Sequence, residues 1–476
     1  MIRGASLLPL ALLTACSLQP TYKRPSPAVS VAWPAGDAYP QPGDAVLPSL
    51  SYRDIFRDPQ LQAIIDQALA NNQDLRLAVA NIAAARAQYH VTQASLFPVI
   101  DASGRVSTEN GSNRVRSSSA GSSSSGRGTD TSYGADIGTT AFEIDLFGRL
   151  RNQSSAAFAE YMGTAAAARA ARLTLIGEVA RAYLQYATDK SLLAIATDTI
   201  ANAGRNVELT RARLQGGVAP RTDLRQAETI LAQARSDEAS FTTAVAQDRN
   251  ALELLVGAPV ADALLPASLE SIDGLLQPVP AGLDSGILLR RPDVVQAEYQ
   301  LRAANARIGA ARAAFFPRLA LTAAAGFASS GLSSLFSGGA FAWSVQPSAM
   351  LPIFDAGANI GNLKYANAQR TAAIAGYQKA IQTAFREVAD ALARQGTIDR
   401  QLAADQQLND ATEDSLMLSR ARYNEGIDSY LATLDAQRSF YSARRTLITT
   451  RRIRAQNLAT LYQALGGDQL ISEGRM

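Results

Sequence analysis

The sequence is poor in the residues that build metal centres and covalent cross-links. Its 476 residues include one cysteine, Cys16, one histidine and five methionines, so an internal disulfide is excluded and no metal-ligand cluster is expected. The formal net charge is only +3, which gives no indication of a nucleic-acid partner. No nucleophile–base pair, phosphate-binding loop or metal-ligand spacing stands out. The sequence therefore predicts neither an enzyme nor a protein that needs a cofactor.

Long hydrophobic runs are scarce as well, and the run at the N-terminus is short. Arg3 precedes an apolar stretch over residues 5–13, which is typical of a secretory signal and too short for a permanent spanning helix. The stretch ends in Leu-Thr-Ala-Cys at residues 13–16, which resembles a bacterial lipobox. That resemblance implies cleavage before Cys16 and acylation of its side chain. A plain signal peptide with an incidental cysteine is the alternative.

We therefore expect residues 1–15 to be a signal peptide and residues 16–57 to be a lipid-anchored extended segment. Ser17, rather than an aspartate, follows the cysteine, and this favours the outer membrane. The segment is rich in proline and cannot be helical, so ordered structure is expected from about Asp58. No later segment reaches the roughly 18 apolar residues of a spanning helix. Any further insertion into a membrane would have to use strands.

The chain repeats itself at a spacing of about 210 residues. Four blocks recur in the same order: residues 94–98 at 314–317, 146–148 at 353–357, 209–218 at 418–427, and 251–257 at 460–466. A duplication explains this order better than chance. We expect a first repeat at 58–257, a linker at 258–286, a second repeat at 287–467 and a tail at 468–476.

Each repeat contains a long stretch in which apolar residues follow a 3-4 spacing. The spacing runs through Tyr183 in the first copy and Tyr377 in the second, and it is typical of a coiled coil. No proline interrupts residues 149–215 or 358–425. At 1.5 Å per residue each stretch predicts a helix of about 100 Å.

Glycine ends each of these stretches, at Gly216-Gly217 in the first copy and at Gly426 in the second. A second helical run follows, at residues 222–255 or 429–465. The sequence therefore predicts two long helical hairpins with glycine at the turn.

Two segments with period-two alternation precede each hairpin. We expect four strands, at about 99–108, 132–143, 318–328 and 340–350. Their length suits tilted transmembrane strands, and the Gly/Ser-rich links between them suit external loops. A soluble sandwich is the alternative. Because the smallest bacterial barrel has about eight strands, four strands cannot close one, and the chain is expected to oligomerise.

Two long motifs carry a resemblance to a known family. Residues 288–294 read Leu-Leu-Arg-Arg-Pro-Asp-Val and begin a signature that continues to 317. A second signature contains Arg-Ala-Arg-Tyr at 420–423 and Leu-Asp-Ala-Gln-Arg at 434–438. Together they resemble the TolC-like outer membrane efflux proteins, most closely their NodT-type lipoprotein branch. The resemblance covers nearly all of the mature chain.

The resemblance implies a mainly α fold with transmembrane β-structure. Helical hairpins would form a periplasmic α-barrel, and four strands from each of three chains would close a twelve-stranded barrel in the outer membrane. The implied partners of the homotrimer are a periplasmic adaptor, an inner-membrane transporter and outer-membrane lipid. The implied function is passive conduction of small molecules, such as drugs or other toxic compounds. A polypeptide-export channel and a periplasmic scaffold without a pore are the alternatives.

The resemblance also implies functional residues near the second turn. Leu431 and Asp435 lie four residues apart on one helical face and would line the periplasmic constriction. Tyr423, Asp428 and Arg438 would support the closed state through polar links. The alternative is that these are ordinary solvated side chains at a helix end, with Arg438 paired to Asp435.

The first copy departs from this pattern. Gln226 and Thr229 stand where Asp435 and Arg438 fall in the second copy, and only Asp223 supplies an acid there. We therefore expect the second copy to control the opening.

Overall fold

The computed structural model describes residues 17–40, 51–110, 129–272 and 285–467. Cys16, the expected signal peptide, most of the first strand-connecting loop and the tail at 468–476 lie outside the described residues.

Over these ranges the chain forms α-helices and one four-stranded sheet. In chain order they are α1 (Tyr52–Ile55), α2 (Pro59–Asn71), α3 (Gln73–Ala94), β1 (Asp101–Asn110), β2 (Thr129–Ile144), α4 (Arg149–Gln215), α5 (Arg221–Val256), α6 (Pro292–Ala313), β3 (Arg318–Ser329), β4 (Phe341–Met350), α7 (Ala358–Asn424) and α8 (Tyr430–Ala464). Short 3-10 helices lie at Asp262–Leu264, Glu270–Ile272, Ser285–Arg290 and Leu332–Ser334.

The duplication is visible in the order and length of the elements. Helices α3 and α6 each have 22 residues, and the long helices α4 and α7 each have 67. Helices α5 and α8 have 36 and 35 residues. Each copy therefore contains a helix, two strands and a long helical hairpin in the same order.

Some element ends differ from the expected ones. Ordered helix begins at Tyr52 and not near Asp58, because Ser51 caps α1 through its side chain and because Tyr52 and Ile55 are buried. Four residues are too few to show a helical period. Strand β1 begins at residue 101, not 99, and β2 covers 129–144, not 132–143. Strand β2 is longer because it pairs with two neighbours whose ends do not coincide.

The chain divides into two compact units, and each contains parts of both copies. The unit that carries the strands draws on Ala83–Met162 and Tyr299–Ile374. The helical unit combines Gly163–Glu298 with the part of the second copy from Ala375 onward, and it includes Pro25–Ile82. The two sequence copies are therefore not two separate folding units.

The sheet is antiparallel throughout, with the strand order β1-β2-β3-β4. Strands β2 and β3 approach closely, since a Cβ added to Gly326 would lie 2.3 Å from the carbonyl oxygen of Ala135. A bulge separates Thr139 from Phe142 in β2, where Ala141 has a φ of 51°. Strands β1 and β4 form the two open edges.

The core of the helical unit lies along the predicted 3-4 seam. Tyr183 and Tyr377 are fully buried, and so are most of the seam positions around them. The buried seam residues are Leu173, Ile176, Ala180, Ala187, Ile381, Ala384, Val388 and Ala391. The Tyr183 hydroxyl donates to Asp58 Oδ2 at 2.7 Å, and burial raises the pKa of that hydroxyl. The predicted seam is therefore confirmed.

A buried arginine joins three helices of this unit. Arg291 Nη1 donates to the carbonyl oxygen of Ala464, near the end of α8, at 2.7 Å. Its Nη2 donates to Asp293 Oδ2 at 2.7 Å and to Glu387 Oε2 at 2.9 Å. The side chain is only 9% exposed, so these acceptors replace the water that the charge has lost.

Among the described helices, none combines the length and the apolar character that crossing a bilayer requires.

Replacing the buried arginine should destabilise the helical unit. Arg291→Ala removes the charged donor to three acceptors, so we expect the free energy of unfolding to fall by about 2–3 kcal/mol. Thermal unfolding of the purified protein in detergent, followed by circular dichroism, measures the change. The control is Arg290→Ala at the exposed neighbour, which should cost less than about 0.5 kcal/mol. Equal losses in the two variants would contradict the assignment.

Candidate functional site at the helical hairpin turns

The first hairpin turn ends α4 with a left-handed glycine. Gly217 has a φ of 75°, a conformation that a residue with a Cβ seldom adopts. Its N–H donates to the carbonyl oxygen of Leu214 at 3.0 Å, and the N–H of Val218 donates to that of Arg213 at 2.9 Å. These two bonds form a Schellman motif, which satisfies carbonyl groups at the end of the helix.

The second turn repeats this backbone arrangement. Gly426 has a φ of 75°, and its N–H donates to the carbonyl oxygen of Tyr423 at 3.1 Å. The N–H of Ile427 donates to the carbonyl oxygen of Arg422 at 2.9 Å. The duplication has therefore preserved the backbone of the turn in both copies.

The two turns pack against each other through a small apolar cluster, which we call the turn cluster. Its buried members are Val207, Leu224, Ala227, Tyr423, Tyr430 and Leu434. The rings of Tyr423 and Tyr430 lie 5.1 Å apart between centroids. Burial, followed by the neighbouring Tyr423, raises the pKa of Tyr430 to about 12. The turn cluster thus brings α4, α5, α7 and α8 together.

An ion pair closes the second turn. Arg422 Nε donates to Asp428 Oδ2 at 2.6 Å, and its Nη2 donates to Oδ1 at 3.0 Å. The hydrogen bond from Arg422 lowers the pKa of the Asp428 carboxyl. The pair joins the last residues of α7 to the residue before Ser429, the N-cap of α8. The structure thus gives Asp428 a specific partner.

The residues expected to line the constriction share one face of α8. Leu431, Asp435 and Arg438 are all exposed, and Leu431 retains 51% of its accessible surface. Arg438 Nη1 lies 4.0 Å from Asp435 Oδ1, so the two charges attract one another but do not form a close hydrogen bond. Within the described ranges, the rest of the chain leaves this face uncovered.

Tyr423 is held at the turn by its ring. Its side chain is 7% exposed, and among the described residues its buried hydroxyl has no hydrogen-bond partner. The ring is held by packing against Tyr430 and by the cation of Arg213, whose Cζ lies 4.3 Å from the ring centroid. The contacts of Tyr423 in this chain therefore come from its ring, and the polar link expected from the sequence stays a prediction.

Sequence reasoning missed Arg213, which connects the two turns. Arg213 Nη1 donates to the carbonyl oxygen of Tyr423, and its Nη2 donates to that of Asn424, each at 3.3 Å. The available signal was the duplication, because Arg213 occupies the position of Arg422 in the first copy. A second missed contact joins Asn206 Nδ2 to Gln437 Oε1 at 3.3 Å.

The first copy places neutral side chains at the equivalent positions of α5. Gln226 and Thr229 lie in its first turns, and the Thr229 hydroxyl donates to the carbonyl oxygen of Arg225 within the same helix. Asp223 is the acid in the first turn of α5. Within the described ranges, no group of three or more His, Cys, Asp and Glu side chains could hold a metal ion.

The start of the described chain lies against helices of the strand-bearing unit. The Ser17 hydroxyl donates to Asn152 Oδ1 at 3.1 Å, and Asn305 Nδ2 donates to the carbonyl oxygen of Pro20 at 2.7 Å. A Cβ on Gly309 would lie 2.9 Å from the Cα of Gln19. The segment directly after Cys16 therefore has a defined path.

Comparison with known proteins gives consistent matches along the chain. The model of the family described as outer membrane efflux protein matches residues 64–258 and 284–467. The toluene efflux pump outer membrane protein TtgI of Pseudomonas putida is 41% identical over 476 residues, which cover 99% of each chain. The outer membrane protein OprJ of Pseudomonas aeruginosa is 39% identical over 465 residues, covering 98% of this chain and 95% of OprJ.

A solved structure shows the same fold. The open state of the MtrE outer membrane channel of Neisseria gonorrhoeae matches with a TM-score of 0.83 at 36% identity. The match covers 95% of this chain and 99% of the MtrE chain.

Substitutions at Tyr423 should separate its ring from its hydroxyl. Tyr423→Phe removes a buried group that lacks a partner, so we expect stability to change by less than about 0.5 kcal/mol. Tyr423→Ala removes the ring from the turn cluster and should cost about 3 kcal/mol. Thermal unfolding of both variants measures the difference. A loss in Tyr423→Phe as large as that in Tyr423→Ala would show that the hydroxyl contributes after all.

Proposed function

Because the chain belongs to the outer membrane efflux protein family, it is an outer-membrane channel component of an efflux pump, and we propose that three copies form its pore. The predictions of family, mainly helical fold with four strands, efflux function and outer-membrane location are confirmed. The family is one of channels and not of enzymes. As a pump component, the chain works with an adaptor and an inner-membrane transporter.

The trimer is supported by a difference between two equivalent helices. Helix α6 buries Val294, Leu301 and Ile308 within its own chain. Its counterpart α3 has no buried residue and exposes Leu77 and Val91 by 59% and 66%. In a closed ring of copies, the exposed apolar side chains of α3 would pack against the next chain, as those of α6 pack within their own chain.

The open sheet supports the same assembly. Strands β1 and β4 each leave one row of backbone groups without a strand partner among the described residues. Every residue of β4 is exposed, including Phe341 and Trp343. Edge strands with apolar side chains readily pair with other chains. Three sheets joined edge to edge would form a twelve-stranded barrel, consistent with the bacterial even-numbered series.

The proposal for the gate rests on the exposed face of α8. Leu431 and Asp435 project from a face that the described part of the chain does not cover, in the first turns of the helix. Threefold symmetry would turn each of them into a ring of three. The Leu431 ring would narrow the periplasmic opening, and the Asp435 ring would concentrate negative charge there. Arg438 and Asp428 would act as supporting residues, each through one ionic contact.

The transported compounds are proposed to be small organic molecules. TtgI, which is 41% identical over its whole length, is named as the outer membrane protein of a toluene efflux pump. A passive channel contributes little selectivity, so the partner transporter would choose among solvents, drugs and other toxic compounds.

Lipidation of Cys16 is proposed as a second anchor. The lipobox supports it, together with the contacts of Ser17 and Pro20 on the strand-bearing unit. Two anchoring signals hold a protein at a membrane more firmly than one.

Truncation of the two constriction residues should widen the opening. We expect Leu431→Ala with Asp435→Ala to raise the single-channel conductance of purified trimers in planar bilayers, because both proposed rings lose their side chains. The matched control comes from the first copy, where Gln226→Ala with Thr229→Ala should leave conductance near the wild-type value. An increase in the control alone, or in neither protein, would reject the gate assignment.

Fractionation and unboiled gel electrophoresis test the assembly and the anchor. Wild-type protein should appear in the outer membrane as an acylated trimer. Cys16→Ser should lose acylation yet still form trimers, since the strands anchor the chain independently. A soluble monomeric wild type would refute the channel and would favour a periplasmic scaffold. An acylated Cys16→Ser variant would refute only the lipidation site.

A further inference from the structure

The two hairpin turns share a backbone but differ in one charge. In the second copy Arg422 forms a two-point ion pair with Asp428. In the first copy Arg213 occupies the position of Arg422, whereas Ala219 occupies that of Asp428. The first turn therefore offers no carboxylate at the place where the second turn has one.

The guanidinium of Arg213 reaches the other turn instead. It donates to the carbonyl oxygens of Tyr423 and Asn424, and its Cζ lies 4.3 Å from the Tyr423 ring centroid. These carbonyls belong to the last turn of α7, where a helix carries partial negative charge, and that of Tyr423 also accepts the N–H of Gly426. The cation therefore binds three features of the same helix end: two carbonyl oxygens and an aromatic face.

We propose that Arg213 is a positioning residue of the gate. This side chain of the first copy, which we call the latch, holds the second turn in the position that it has when the channel is closed. The inference rests on the proposed function, because its effect is transmitted to Leu431 and Asp435. Both lie in the first two turns of α8, which begins six residues after Asn424. Fixing the end of α7 therefore fixes where α8 starts and how far its exposed face projects.

The contacts of Arg213 are suited to a latch that releases. Both hydrogen bonds measure 3.3 Å, beyond the usual N–H···O range. The arginine in the core, Arg291, makes its bonds to Ala464 and Glu387 at 2.7 and 2.9 Å. The longer hydrogen bonds of Arg213 thus lie at the turn, where movement would change the opening. The shorter hydrogen bonds of Arg291 lie in the core.

The sharpest test converts the first turn into a copy of the second. Ala219→Asp supplies the missing carboxylate, which should draw the Arg213 guanidinium away from Tyr423 while keeping the arginine. We expect the closed-to-open ratio of trimers in planar bilayers to fall by about tenfold, since charge-assisted contacts to α7 are lost. Ala219→Asn introduces a side chain similar in size to that of aspartate but without its charge, and this variant should behave like wild type.

Removal of the Arg213 side chain is a second, independent test of the latch. Arg213→Ala should open the channel to a similar degree, and Arg213→Lys should be intermediate, because lysine keeps the charge without the planar donor fork. The control is Arg211→Ala, two residues before Arg213, where the exposed arginine pairs with Glu228; it should not change conductance.

The outcomes distinguish the latch from the channel itself. Wild-type conductance in both Ala219→Asp and Arg213→Ala, with trimers intact on unboiled gels, would overturn the latch. If those variants stay closed while Leu431→Ala with Asp435→Ala opens, the latch fails and the gate stands. If the wild type forms no pore, the proposed function fails. Failure of Ala219→Asp to form trimers would assign Arg213 to assembly and would also overturn the latch.

Discussion

Arg291 is the charge on which the arrangement of the helical unit depends. A guanidinium so deeply buried must have its donors satisfied, because an unpaired charge in a low-dielectric interior is costly. Its acceptors lie at the start of α6, in the middle of α7 and near the end of α8. The requirement for all three fixes the relative position of these helix segments, and the apolar seam through Tyr377 then packs around them. Hydrophobic burial supplies most of the stability, but it is not directional. The hydrogen bonds of Arg291 are directional, and they fix how the helices are placed relative to one another.

The duplication repeated a scaffold and then let its local chemistry diverge. The helices of the two long hairpins agree in length to within one residue between the copies, and both turns end in the same hydrogen-bond motif. The differences lie at single positions: Ala219 instead of Asp428, and Gln226 instead of Asp435. The first turn has no carboxylate at the position of Asp428, and Arg213 donates to carbonyl oxygens of the other copy. A difference between the two copies thus goes with a contact that joins them.

The sequence was sufficient where structure follows from period and from backbone chemistry. Heptad spacing predicted the buried seam, glycine predicted both turns, and alternation predicted four strands close to their observed places. The sequence was insufficient where the partner of a side chain depends on the tertiary structure. Tyr423 was expected to support the closed state through a polar link, and within the described residues the observed contacts come from its ring. Arg213 was overlooked because its acceptors lie about 210 residues away, a distance that only the folded hairpins close. Helix α1 was missed because four residues show no period.

The distribution of strong and weak contacts explains how a rigid conduit could have a movable end. In the core, tyrosines 183, 377 and 462 are fully buried, and charged bonds are short. At the turns the apolar cluster has six buried members, and the ion pairs are solvent-exposed, so each adds little to stability. Segments that open at low cost are those with few buried contacts and exposed polar bonds. Rearranging the turns would therefore leave the core bonds intact, and the proposed aperture would change while the helices that carry it keep their packing.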